Sequence, residues 1–106
     1  MSIVIVQGVF QLNPNERERF LAQSADNMKA SRADEGCLEY VLAADPLDPG
    51  RVILSERWES NDALNQHGRA VAARRKEAQA GGGDPGVAPV SHEITVYEVA
   101  SSRPLG

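Results

Sequence analysis

Apolar side chains occupy both faces of the run from Ile3 to Phe10. Ile3, Ile5, Gln7 and Val9 point one way, and Val4, Val6, Gly8 and Phe10 the other. This predicts a central strand, with Gln7 as its polar break. Asn13-Pro14-Asn15-Glu16 then reads as a helix start: Asn13 caps, Pro14 suits the first helical position and Glu16 reaches back as a capping acid. The apolar period lengthens, with Phe20, Leu21, Ser24, Ala25 and Met28 on one stripe and Arg17, Glu18, Asp26 and Lys29 towards solvent. This helix should run to about Arg32. Gly36, free to take a positive φ, ends the connection.

Two extended runs follow, Cys37 to Ala44 and Arg51 to Glu59. Asp45-Pro46-Leu47-Asp48-Pro49-Gly50 between them is a reversal signal, so the pair should form an antiparallel hairpin. Strict alternation puts Leu38, Tyr40 and Leu42 on one face, with Cys37, Glu39, Val41 and Ala43 on the other. In the second run Val52, Leu54, Glu56 and Trp58 share a face, opposite Ile53, Ser55 and Arg57. Ser60 caps a second helix with Ala63, Leu64, His67, Ala70 and Val71 on one stripe. It is expected to fray after Ala73 or Glu77. Ala80 to Gly86 is a glycine-rich loop, a linker or a lid, with composition favouring the linker. His92 to Val99 is the last strand and Ser101 to Gly106 a tail.

The order β-α-β-β-α-β predicts an α+β, ferredoxin-like subunit, an antiparallel sheet with two helices on one face. Residues 1–100 form a single domain and 101–106 a C-terminal tail. The sheet face away from the helices carries apolar residues and needs closing, which implies a homo-oligomer.

Composition narrows the function classes. With 106 residues the chain suits one domain of modest core. A net charge of -4 argues against nucleic acid or an anionic membrane as the main partner. Arg69, Arg74, Arg75 and Lys76 cluster, but among alanines, as on a solvated helical face. The single cysteine, Cys37, rules out an intramolecular disulfide and suits a small buried filler. Neither a signal-peptide pattern nor an apolar run near the roughly 20 residues of a membrane span is present, so a cytoplasmic location is expected. The two histidines, His67 and His92, have no metal-ligand spacing, and no nucleotide or phosphate loop and no nucleophile elbow occurs. Neither a dedicated metal site nor a nucleotide cofactor is therefore expected.

His67 is the leading catalytic candidate, because an imidazole takes and gives protons near neutral pH. A histidine hydrogen-bonded at a helix–sheet seam fits the same position. Trp58 is either a wall that stacks a flat aromatic or a core anchor whose N–H needs a partner. Glu56 among apolar neighbours either pairs with an arginine, the favoured reading, or lines a polar pocket. Tyr40 and Tyr97 offer phenols to a pocket or to a subunit seam. Gln7 is suited to a substrate carbonyl or to bridging backbone.

One pattern extends over about a third of the chain: Glu35-Gly36-Cys37-Leu38, Tyr40, Asp45-Pro46, Asp48, Arg51-Val52, Glu56, Trp58-Glu59-Ser60, Ala63-Leu64 and His67. It resembles the antibiotic biosynthesis monooxygenase family of small dimeric α/β-barrel proteins. The resemblance implies a homodimer whose two sheets pack face to face. It also implies cofactor-independent oxidation of a small phenolic, quinol or polyketide-type aromatic, with O₂ as co-substrate. His67 would be base or orienter, Trp58 a wall, and Gln7 or Tyr40 a hydrogen-bond partner. A haem-degrading branch of the family uses an asparagine on the first strand and a tryptophan and a histidine on the second helix. This chain has Gln7, His67 and Glu77 at about those places, which disfavours haem degradation. Two further readings stay open: a non-catalytic small-molecule-binding dimeric module, and an acid–base isomerase of a small carbonyl compound.

Overall fold

The computed structural model describes residues 2–106. Four strands and two helices follow in the order β1 (Val4–Gln11), α1 (Arg17–Ala33), β2 (Cys37–Ala44), β3 (Arg51–Trp58), α2 (Asn61–Ala80) and β4 (Ser91–Glu98). The strands form one antiparallel sheet in the order β2-β3-β1-β4. The expected α+β ferredoxin-like arrangement is therefore the observed one, and β1 is central.

Local chemistry sets the boundaries. Asn13 Oδ1 accepts from the Asn15 amide at 3.4 Å, but Pro14–Glu16 winds as a 3₁₀ turn before the α-helix begins. The Ser60 hydroxyl accepts from the Ala63 amide at 3.1 Å and starts α2 as its sequence predicts. That helix continues to Ala80, past the expected fraying point, since Ala78, Gln79 and Ala80 are good helix formers. In the β2–β3 reversal, Asp45 Oδ1 accepts from the Leu47 amide at 2.8 Å and Asp48 Oδ1 from the Gly50 amide at 3.0 Å. Arg17 does not point into solvent. Its guanidinium donates to the carbonyls of Asp45 at 3.0 Å and Asp48 at 2.6 Å, tying the start of α1 to this turn.

Val4, Val6, Val52, Leu54 and Trp58 are buried beneath the helices, as alternation requires. In β2 the expected alternation fails at one point. Cys37 stands opposite Trp58 and Tyr40 opposite Glu56, with a register shift between Cys37 and Glu39. Leu38 is the extra residue of this bulge and is 42% exposed, whereas Cys37 packs against the core under the helices. The helical cover stops short of β4. Ile94 and Val96, on the helix side of β4, remain exposed, and Tyr97 is exposed on the other side.

Gly36 joins α1 to β2 with φ at +82°, and its carbonyl accepts from the Glu59 amide at 2.9 Å. A Cβ there would stand 2.5 Å from the Ala63 Cβ. Gly36→Ala is therefore expected to cost about 2 kcal/mol or more, from backbone strain together with overpacking. Ala63→Gly in the same chain removes the contact and should recover only the packing share. Urea unfolding of wild type, Gly36→Ala, Ala63→Gly and the double variant measures both parts, the Ala63→Gly single variant giving the helix cost of the new glycine.

Candidate active site

Trp58 at the end of β3 is fully buried, so its indole N–H needs an acceptor. Glu56, two residues earlier on the same face, supplies one: Trp58 Nε1 donates to Glu56 Oε1 at 2.9 Å. The two unusual residues of β3 thus satisfy each other, and the arginine expected for Glu56 is not its partner. Burial pushes the Glu56 carboxyl above its ordinary range. The Trp58 hydrogen bond and the nearby His67 oppose that push without cancelling it.

His67 lies over this pair, its ring centroid 4.4 Å from the Trp58 ring and 5.4 Å from the Tyr40 ring. Its Nδ1 is 2.9 Å from Asp34 Oδ2, and its Nε2 is 3.9 Å from Glu56 Oε1. A carboxylate only accepts, so Nδ1 carries the hydrogen towards Asp34. Nε2 then faces the Glu56 carboxyl, beyond hydrogen-bond distance. Asp34, His67 and Glu56 form a line of polar side chains from the α1–β2 connection to β3.

The chain of polar contacts continues outward. Asp34 Oδ2 is also 3.5 Å from Arg74 Nη2, which donates to Asn27 Oδ1 at 3.4 Å. Arginine only donates, so the amide oxygen of Asn27 must face it, and Asn27 Nδ2 is left to donate to Tyr40 Oη at 3.2 Å. The Tyr40 hydroxyl accepts this bond and also lies beside Ser31. Burial raises its pKa, and the Glu56 charge adds to that effect, so it stays a neutral donor.

Tyr40 also forms part of the floor of a cleft of about 520 Å³ between the helices, beside Phe10, Leu42 and Leu54. Phe20 and Asn27 of α1 form one wall, and Val71 and Arg74 of α2 the other. Pro85 and Val87 close one end. The glycine-rich loop is docked there: Arg19 pairs with Asp84 at 2.9 Å, and Gln23 Oε1 accepts from the Val87 amide at 3.0 Å. The volume falls in the range of small-molecule sites.

The structure divides the candidate residues into three groups. Tyr40 lines the cleft. His67, Glu56 and Trp58 cluster behind it, one side chain removed from the space. Gln7 and Tyr97 lie on the opposite face of the sheet, since Gln7 is paired with Ser55 and Tyr97 with Ile5. His92 is exposed in β4, its ring 6.2 Å from that of Phe10. Asn27, Asp34 and Arg74 were not foreseen. Spacing carried a signal for two of them: Arg74 is two helical turns after His67, and Asn27 the same distance after Phe20. Asp34 is 33 residues from His67 and gave no signal. Among the described residues no His, Cys, Asp and Glu group is arranged to hold a metal ion.

The raised Glu56 pKa fixes a sign. The folded state holds this proton more tightly than the unfolded state does. The associated stability is complete below the ordinary value of 4.5 and is lost as pH rises through the folded value. Glu56→Gln keeps an acceptor for Trp58 and removes the titration. Relative to wild type, this variant should therefore gain stability from acid to neutral pH, as read from paired urea denaturations across that range.

The family model described as "Antibiotic biosynthesis monooxygenase" matches residues 3–79, from β1 nearly to the end of α2. The Bacillus subtilis protein named "Putative monooxygenase YcnE" is 26% identical over 65 residues, covering 61% of this chain and 68% of its own. Among solved structures, Rv0793 from Mycobacterium tuberculosis is 26% identical with a TM-score of 0.73, covering 97% of this chain and 100% of its own. A Deinococcus radiodurans protein that carries the family's name superposes with a TM-score of 0.76 at 20% identity, covering 97% and 98% of the two chains. This chain belongs to the antibiotic biosynthesis monooxygenase family.

Proposed function

We propose that this protein is a cofactor-independent monooxygenase that oxidises a small phenolic, quinol or polyketide-type aromatic with O₂. The observation that carries the reading is the joining of two features: a cleft of aromatic size with a neutral phenol in its floor, and a buried imidazole and carboxyl directly behind that phenol. The family's description and the name of the Bacillus subtilis relative agree with it.

The chemistry asks for little beyond these parts. A phenolic arene and one O₂ give the quinone and one water. One oxygen atom enters the ring, the other leaves as water, and all four electrons come from the substrate. An ionised, electron-rich ring gives an electron to O₂ directly, so the protein needs to bind it, favour its ionised form and keep water away. Tyr40 donates to the substrate oxygen and stabilises charge developing there. Asn27 aims that hydroxyl. His67 acts from behind as a positioning and proton-holding residue, with Asp34 fixing its tautomer. Trp58 supports the imidazole.

We further infer a homodimer closed through the sheet face away from the helices, where Ile3, Ile53 and Tyr97 are exposed. No helix of the described residues is long and apolar enough to cross a membrane. A non-catalytic binding module is the second reading, favoured by one observation: His67 does not itself line the cleft.

With metal-stripped protein and a panel of hydroquinones, naphthols and anthrones, O₂ uptake should exceed the spontaneous rate. Tyr40→Phe should lower it on the order of a hundredfold, and His67→Gln should lower kcat and reshape its pH profile with little change in KM. A flat oxygen trace across the panel rejects the oxygenase, and ligand binding without uptake selects the binding module. Sedimentation should give twice the 11.4 kDa chain mass for wild type and a single chain mass for Ile53→Asp.

A further inference from the structure

Arg74 is incompletely satisfied. Its Nε is shielded from solvent and has no hydrogen-bond partner, and its Nη2 contacts to Asn27 and Asp34 are long, at 3.4 and 3.5 Å. Asp34 is an already engaged partner, since the same Oδ2 lies 2.9 Å from His67 Nδ1. A guanidinium has five donors in a planar fork, and because the side chain is 34% exposed, the donors not held by Asn27 and Asp34 stand open to a ligand oxygen. The side chain stands in the cleft wall, within one hydrogen-bonded residue of the Tyr40 hydroxyl.

The two donors point to one kind of acceptor. We propose that Arg74 and Tyr40 together hold an anionic oxygen of the bound aromatic, so that the cleft prefers ligands bearing a carboxylate or an ionised ring hydroxyl over their neutral counterparts. A carboxylate meets the arginine fork with two oxygens, and a phenolate presents one oxygen to both residues. The rest of the lining suits a ring: Phe10, Phe20, Leu42 and Val71 supply apolar surface. Arg75 adds a second positive charge to the wall and Asp26 one negative charge, both exposed. Asp34 Oδ2, which is shared with His67, contacts the guanidinium at 3.5 Å.

The inference specifies the substrate of the proposed monooxygenase site, but it is tested by binding alone. Anaerobic calorimetry compares 2-naphthoate with its methyl ester, and 2-naphthol with its methyl ether from neutral pH towards the naphthol's own pKa. Wild type should favour 2-naphthoate about tenfold over the ester, or bind 2-naphthol increasingly well as it ionises while the ether stays level. The first result assigns a carboxylate and the second a ring oxyanion. Arg74→Gln should bring either ratio to near one, and Arg74→Lys should restore part of it. Equal binding of charged and neutral partners by wild type overturns the proposal whatever the variants do. So does a preference that survives Arg74→Gln in a variant whose melting curve shows it folded. A flat O₂ trace with charge preference intact rejects only the oxygenase, and O₂ uptake on neutral ethers and esters alone rejects only this inference.

Discussion

The carboxyl group of Glu56 beneath the helices is the constraint on which the rest of this structure depends. Burying it is unfavourable unless neighbours answer it, and the answer comes from three segments. Trp58 donates from the same strand, His67 approaches from α2, and Asp34 holds His67 from the α1–β2 connection. Removing any one of these leaves a buried polar group without its counterpart. The cluster therefore fixes how α2 sits on the sheet, through directional contacts that apolar packing alone does not supply.

The same contacts lead outward to the cleft. Asp34 is shared by His67 and Arg74, Arg74 orients Asn27, and Asn27 orients Tyr40. Structural and chemical roles are not separable here, because Asp34, which holds His67 beside the buried carboxyl, also leads through Arg74 and Asn27 to the Tyr40 hydroxyl. The position of His67, one side chain behind the ligand space, casts it as an organiser of the phenol. The glycine-rich loop is part of this arrangement too: Asp84 and Val87 hold it against α1, and its prolines and Val87 shape one end of the cleft.

The two faces of the sheet have separate tasks. The covered face carries the polar cluster and the cleft. The open face carries exposed Ile3, Ile53 and Tyr97 together with Gln7, and β4 lies outside the helical cover. β1 and β3 contribute to both, because their alternate residues belong to opposite faces.

Periodicity determined the element order, the centrality of β1, the hairpin at Asp45 to Gly50, the Ser60 cap, the positive φ of Gly36 and the shared face of Val52, Leu54, Glu56 and Trp58. These depend on near neighbours along the chain, so local spacing suffices to specify them. Only the tertiary structure decided the bulge that turns Cys37 inward and Leu38 outward, because one inserted residue reverses every later face and leaves no mark in composition. Only it separated Gln7 and Tyr97 from Tyr40, since the register between strands joins residues far apart in sequence. Only it turned Arg17 and Arg74 away from solvent, as a long cationic side chain on a helix reaches either water or a carbonyl depending on what packs beside it. The Asp34–His67 contact spans 33 residues and brings a loop acid to a helical imidazole, a pairing that exists once α1, β2 and α2 are docked.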